Sequence, residues 1–338
     1  MNRQRRKAVF CAAAAGSMWG TIGLFVNLAG RYGIRSLELT VVRMVIAAAA
    51  LGVWLLAADR KLLQIRASDV PWFAVAGILC LLLFNVSYGI AIEKSSMAAA
   101  AVLLYTSPVF VTVIAVPVFG ERITRRKLAA VLLAVTGCAF VSGIMSGTVM
   151  FPADAFFWGI LAAFGYAMYS ITAGALLKRY HPLTVLFYAF LSAAVAGCVL
   201  ADMGLVVYSI TQKPQVVPIL AAAACVCNIF SYLLYNTALK SMEPGSVAVI
   251  ASVEPAAAAI LGAVVLGERI GFFGAAGIGC ILAAIVVLNG QAGRRKYERK
   301  ASGAYQDPCG SGGGDDSETT VPPASHFGAQ CEKLHRGN

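Results

Sequence analysis

The chain has 338 residues, 59% hydrophobic and 13% charged, with a mean hydropathy of +0.77 and a formal charge of +11. A soluble domain carries roughly 25% charged residues, so this composition excludes a single water-soluble core and requires a bilayer to cover the apolar excess. The basic surplus sits at the ends of apolar runs, where membrane topology accounts for it, and nucleic acid is not expected as a partner.

The first twenty residues join Arg3, Arg5, Arg6 and Lys7 to an alanine-rich run, the outline of a signal peptide. The apolar stretch continues through Trp19 and Phe25 to about Ala29, long enough to cross a bilayer, so it is expected to persist as the first span. Ten spans are expected in all: 8–29, 37–58, 70–92, 97–119, 127–145, 154–177, 183–201, 216–239, 245–266 and 271–289. The seventh is held near minimum length by Pro182 and Asp202. Membrane β-barrels show short alternating segments instead. The fold class is therefore an all-α membrane protein.

With the N-terminus in the cytoplasm, the inner segments collect nineteen Lys and Arg residues against five on the outer side. That bias predicts both termini inside. From Gln291 the composition turns polar and glycine-rich, so 290–338 is expected to be a disordered cytoplasmic tail. Its Arg294–Lys300 cluster either anchors topology or meets anionic headgroups.

A pattern repeats along the chain. Pro108 and Pro255 stand 147 residues apart, as do Tyr88 and Tyr235, and Gly120-Glu121-Arg122-Ile123 and Gly267-Glu268-Arg269-Ile270. The chain thus divides into five-helix halves, 8–145 and 154–289, and an odd helix number inverts the second half relative to the first. Trp19-Gly20 and Trp158-Gly159 are 139 residues apart, which places a gain of eight residues before the eighth helix, in the Ala201–Gln215 connection. Each proline removes a backbone donor, freeing the carbonyls of Leu104 and Ala251 to act as ligands beside a broken helix.

Two charges fall inside spans. Arg43 lies roughly 9 Å below the outer end of the second helix and Glu254 roughly 18 Å below that of the ninth, at 1.5 Å per residue. Intramembrane charges mark function by default. The alternative is a structural ion pair between them, or an arginine that snorkels. Glu254 is the natural seat for a coupling proton or for an amino-bearing substrate. Asn228, Tyr232 and Tyr235 recur on one face of the eighth helix, Asn85 and Tyr88 form a shorter version in the third, and Tyr166 and Tyr169 lie in the sixth. These read as a polar cavity lining or, for the tyrosines, as an interfacial belt. The Gly120-Glu121 and Gly267-Glu268 pairs read as helix-turn chemistry.

Seven of the nine cysteines lie in apolar runs, and only three histidines exist, so no metal site and no cofactor are expected.

Together these residues resemble the drug/metabolite transporter superfamily, in its ten-helix type with two EamA domains, over nearly everything to about Gly290. The most specific parts are Tyr105-Thr106-Ser107-Pro108 with Phe119-Gly120-Glu121-Arg122-Ile123, and Val253-Glu254-Pro255 with Leu266-Gly267-Glu268-Arg269-Ile270. Trp19, Trp158 and Arg43 fit the pattern too. The resemblance implies an inner-membrane secondary carrier of small metabolites such as amino acids or drugs, without enzymatic activity, working by alternating access. It carries Glu254, Ser107, Pro108 and Pro255 over as the broken-helix site. Ser107 holds the place that Glu254 holds in the second half, so the expected site is asymmetric. A membrane scaffold or sensor, or an intramembrane lipid-modifying enzyme, are the alternatives.

Overall fold

The computed structural model describes residues 3–95, 97–143, 152–266 and 271–289. The Gly267–Ile270 turn and the 290–338 tail lie outside the described residues. Among the described residues ten long helical units follow one another, and we number them α1–α10. They are α1 (Arg3–Gly30), α2 (Ser36–Ala58), α3 (Ala67–Lys94), α4 (Met97–Leu104 and Ser107–Phe119), α5 (Arg125–Val141), α6 (Ala153–Leu176), α7 (Pro182–Leu200), α8 (Val216–Ser241), α9 (Pro244–Ala251 and Glu254–Leu266) and α10 (Phe272–Asn289). Nine are long and apolar enough to cross a membrane. The tenth, α5, has 17 residues, about 26 Å of helix. The ten helices match the spans read from apolar run length.

The chain turns sharply where its residues allow it. Gly120, at φ 67°, closes α4 in the left-handed conformation that costs other residues energy. Thr124 caps α5 by accepting from the Lys127 N–H, and His181 caps α7 by accepting from the Leu183 N–H. The α7–α8 connection, the longer one anticipated, contains a ten-residue helix, Met203–Gln212, capped by Asp202.

Three helices are interrupted at mid-length. In α4 the break is Tyr105-Thr106 and in α9 it is Ser252-Val253, again 147 residues apart. The two breaks share one hydrogen-bond pattern. Thr106 and Val253 donate three residues back, to Leu103 at 3.1 Å and Ile250 at 3.3 Å, while Tyr105 and Ser252 keep helical bonds to Ala101 and Ala248. Pro108 and Pro255 stand just after the breaks, in the first turn of each second half, where the missing N–H is tolerated. The third break, Gly20-Thr21, divides α1. The π-helical turns repeat as well: Val75–Leu82 in α3 is matched by Ala224–Phe230 in α8.

The helices pack across the halves. α1 lies on α8 and α3 on α6, while α2 meets α7, α4 meets α9 and α5 meets α10. Exchanging the halves maps the first pair onto the second and each of the others onto itself, as a pseudo-two-fold relation between inverted repeats requires.

Glycine permits the closest approaches, as small residues do between helices in lipid. A Cβ at Gly16 would lie 2.3 Å from the Ala251 carbonyl oxygen, and one at Gly20 would lie 2.8 Å from that of Glu254. The interrupted stretch of α9 thus sits on a Gly-xxx-Gly face of α1, with the Ala251 carbonyl directed at Gly16 rather than left free as a ligand. Gly16→Val must displace α9 backbone, and we expect a loss of at least about 1–3 kcal/mol. It should read out as a lower melting temperature in detergent, and an unchanged value would mean that this contact does not hold the break.

Candidate functional site

The breaks in α4 and α9 and the π-helical turn of α8 converge on one cavity of about 750 Å³. Its walls come from both halves, and it reaches the end of the bundle where Ser36, Glu93 and Gly271 lie, opposite the end that carries Arg3. Below it, Tyr169, Phe190, Tyr235 and Ile250 are fully buried and fill the bundle.

Arg43 and Glu254 both line this cavity. Arg43 is buried; its Nη2 donates to Thr40 Oγ1 at 3.2 Å, and its Nε has no hydrogen-bond partner. Thr40, three residues earlier on the same face, was not singled out from sequence. On its cavity side Arg43 faces Cys227 and Tyr232 of α8. Glu254 opens the second half of α9, with the Tyr105 hydroxyl as its hydrogen-bond partner. No ion pair within 4 Å joins Arg43 to Glu254 or either of them to another residue, among the described residues. The sequence left open a direct pair between them; the structure places them apart, each facing the same space.

The aromatic residues divide into two layers. Trp19, Tyr88, Tyr105, Tyr166 and Tyr232 line the cavity. The Trp19 indole N–H donates to the Cys227 carbonyl at 3.1 Å, while its ring packs 4.9 Å from Tyr232 and 6.0 Å from Tyr166. Cys227 lies in the π-helical turn, where the helical bond pattern is altered and such a contact is accommodated. Tyr169 and Tyr235 lie one layer deeper. Tyr169 donates to Asn236 Oδ1 at 3.2 Å and Tyr235 hydrogen-bonds Ser170 Oγ at 2.7 Å, so both serve the floor rather than the wall. Trp158 lies outside the lining and packs edge-on to Phe157. Its helix is continuous, whereas α1 breaks directly after Trp19.

The amides and small hydroxyls complete the site. Asn85 lines the cavity and donates to the Leu81 carbonyl at 2.7 Å. Asn228 also lines it, buried at 4% exposure. Ser107 lies between the two breaks, in a small adjoining pocket shared with Tyr105, Ser252 and Glu254. Pro255 borders the main cavity; Pro108 is buried behind it. No cluster of three His, Cys, Asp or Glu side chains suited to a metal occurs among the described residues.

The model of the EamA-like transporter family matches twice, over residues 6–143 and 154–290. The chain belongs to the EamA-like transporter family. Among its relatives, an uncharacterized transporter of Archaeoglobus fulgidus is 29% identical over 208 residues, covering 60% of this chain and 70% of the relative. A probable terminal-alkyne amino-acid exporter of Streptantibioticus cattleyicolor is 28% identical over 192 residues, covering 56% and 62%. A solved structure described as a crystal structure of a protein shares the fold at a TM-score of 0.71, with 18% identity, over 85% of this chain and 98% of its own. This EamA-like protein is thus a multi-pass membrane protein of a transporter family, and its cavity lies between the two matched regions.

The two unpaired charges have a consequence for stability. A buried cation or anion without a partner is costly, and an apolar or neutral replacement of similar shape removes that cost. Arg43→Met and Glu254→Gln are therefore expected to leave the ligand-free melting temperature at or above the wild-type value. A drop of several degrees in either would assign that charge a structural role instead.

Proposed function

We propose that the protein is a secondary carrier of small zwitterionic metabolites of the amino-acid class, moved by alternating access around this cavity. The observation that carries the reading is the pair Arg43 and Glu254, a guanidinium and a carboxyl lining one 750 Å³ cavity without ion-pair partners among the described residues. Charge buried in a low-dielectric site needs compensation. One ligand bearing a carboxylate and an ammonium compensates both. Arg43 presents the guanidinium that suits a carboxylate, Glu254 accepts from the ammonium, and Trp19, Tyr88 and Tyr232 offer rings to the rest of the molecule. The naming of the Streptantibioticus cattleyicolor relative as an amino-acid exporter supports the same class.

The two-fold relation between the halves supports the mechanism: the cavity lies where repeats can rock about a fixed site. The positive charge of the inner loops supports termini on the cytoplasmic side of an inner membrane, and in that orientation the cavity faces outward. Glu254 is then the group on which a coupling proton would ride, since the ammonium and a proton compete for one carboxylate. The repeats are the two five-helix halves, with the tail beyond residue 289 as a separate cytoplasmic segment.

A ligand that binds only the folded state stabilises it by RT ln(1 + [L]/Kd), about 2.7 kcal/mol at a hundredfold excess over Kd. A thermal-shift series on the purified protein should show a rise with intact amino acids, and a much smaller one with their amides or decarboxylated amines. Arg43→Gln should abolish the preference for the free carboxylate. Equal shifts from zwitterions and their singly charged analogues would contradict the reading.

A further inference from the structure

On the side where the cavity is closed, a second charge cluster, with Lys127 and Glu121 buried and Glu243 exposed, links the halves. The Lys127 ammonium, at the start of α5, is 5% exposed and paired with Glu121 of its own half. It also reaches Glu243 Oε2, which precedes α9 in the other half, at 3.5 Å. α9 is shaped to receive it. A Cβ at Gly245 would lie 2.8 Å from Lys127 Nζ and 3.1 Å from Thr112 Oγ1, so the ammonium packs directly against this glycine. Two polar atoms in the cluster are buried without partners, Glu121 Oε1 and Thr112 Oγ1. Burial pushes the Glu121 carboxyl above its ordinary value, with Lys127 opposing the rise.

At the opposite face Glu121 recurs as Glu268, outside the described residues, but the other members of the cluster do not recur in the sequence. At the spacing of 147, Lys127 corresponds to Gly274, Glu243 to Ser96, Thr112 to Ala259 and Gly245 to Ala98. Gly274 instead lines the open cavity.

We infer that Lys127 is the gating residue of the closed face, a latch between the halves whose bond to Glu243 must break each time the cavity opens toward the termini. This rests on the alternating-access reading above. A latch made only while this face is closed biases the carrier toward the state seen here, because contacts made in one state alone shift a two-state equilibrium toward it. Glu121 keeps the ammonium charged and in place after Glu243 moves away, so the lysine is not left buried without a partner.

Ala101, which lines the cavity outside the latch and the charged pair, serves as a reporter when changed Ala101→Cys. A membrane-impermeant methanethiosulfonate reagent is applied to either side of oriented vesicles, and labelling at position 101 is read by peptide mass spectrometry. With Lys127 intact, labelling is expected mainly from the face opposite the termini. Lys127→Met should raise the rate from the terminal face by about two- to fivefold, the scale of an ion pair to an exposed carboxylate. The double variant Lys127→Met/Glu121→Gln, which leaves no unpaired carboxylate behind, should do the same. Glu243→Gln should give a smaller rise, and Lys127→Arg should stay near wild type. Rates from the terminal face that do not respond in any of these variants, while a zwitterion still drives exchange in wild type, would overturn the latch and leave the carrier reading standing. No labelling from the terminal face in any variant, with or without zwitterion, would instead count against alternating access itself.

Discussion

The structure depends on one constraint, that no backbone polar group can be left bare in hydrocarbon. A helix can be interrupted at membrane depth only if protein or a watery cavity covers the break. Here the breaks in α4 and α9 face one another at the centre of the bundle, and α1 covers the second with its own glycines. The Ala251 carbonyl, which a proline at position 255 strands, is directed at Gly16. The Cys227 carbonyl of α8 is met by the Trp19 indole. Covering these groups from one side leaves residues beside each break free to line the cavity. The site is therefore a product of how the fold satisfies its backbone.

Charge follows the same logic at a higher cost. The closed face solves its buried charges internally, with Lys127 between two carboxylates. The central cavity does not: Arg43 retains an unpartnered Nε and Glu254 has only a tyrosine hydroxyl for company. One cluster pairs its cation with carboxylates of the chain and the other does not, among the described residues. On the proposed function, the first holds the halves together and the second receives the ligand.

Much of this was legible in the chain itself. Span number follows from apolar runs whose length is set by the bilayer. The 147-residue echo of Pro108 in Pro255 marked both breaks to within about three residues. Arg43 and Glu254 stood out because charges inside spans are rare. What stayed hidden depended on contacts between distant segments. No residue type announces the π-helical turns of α3 and α8, and nothing near Ala251 says that Gly16 will cover it. Tyr169 and Tyr235 look like cavity residues by type and spacing, yet the floor closes above them. Glu121 read as turn chemistry because its partner's burial cannot be seen from a loop sequence. Trp158 mirrors Trp19 in sequence but not in place, since only α1 breaks beside its tryptophan. Asymmetry of this kind is invisible until the halves are assembled.

The central claim is that one cavity, served by two broken helices, carries a zwitterion from one side of the membrane to the other. Solute counterflow tests it most directly. Proteoliposomes loaded with an unlabelled amino acid that binds the protein are diluted into a trace of the labelled compound. The account predicts transient accumulation of label above equilibrium, present in wild type and lost in Arg43→Gln. A ligand that binds and stabilises the protein yet never exchanges across the bilayer would contradict it, and would leave the cavity a receptor site rather than a pathway.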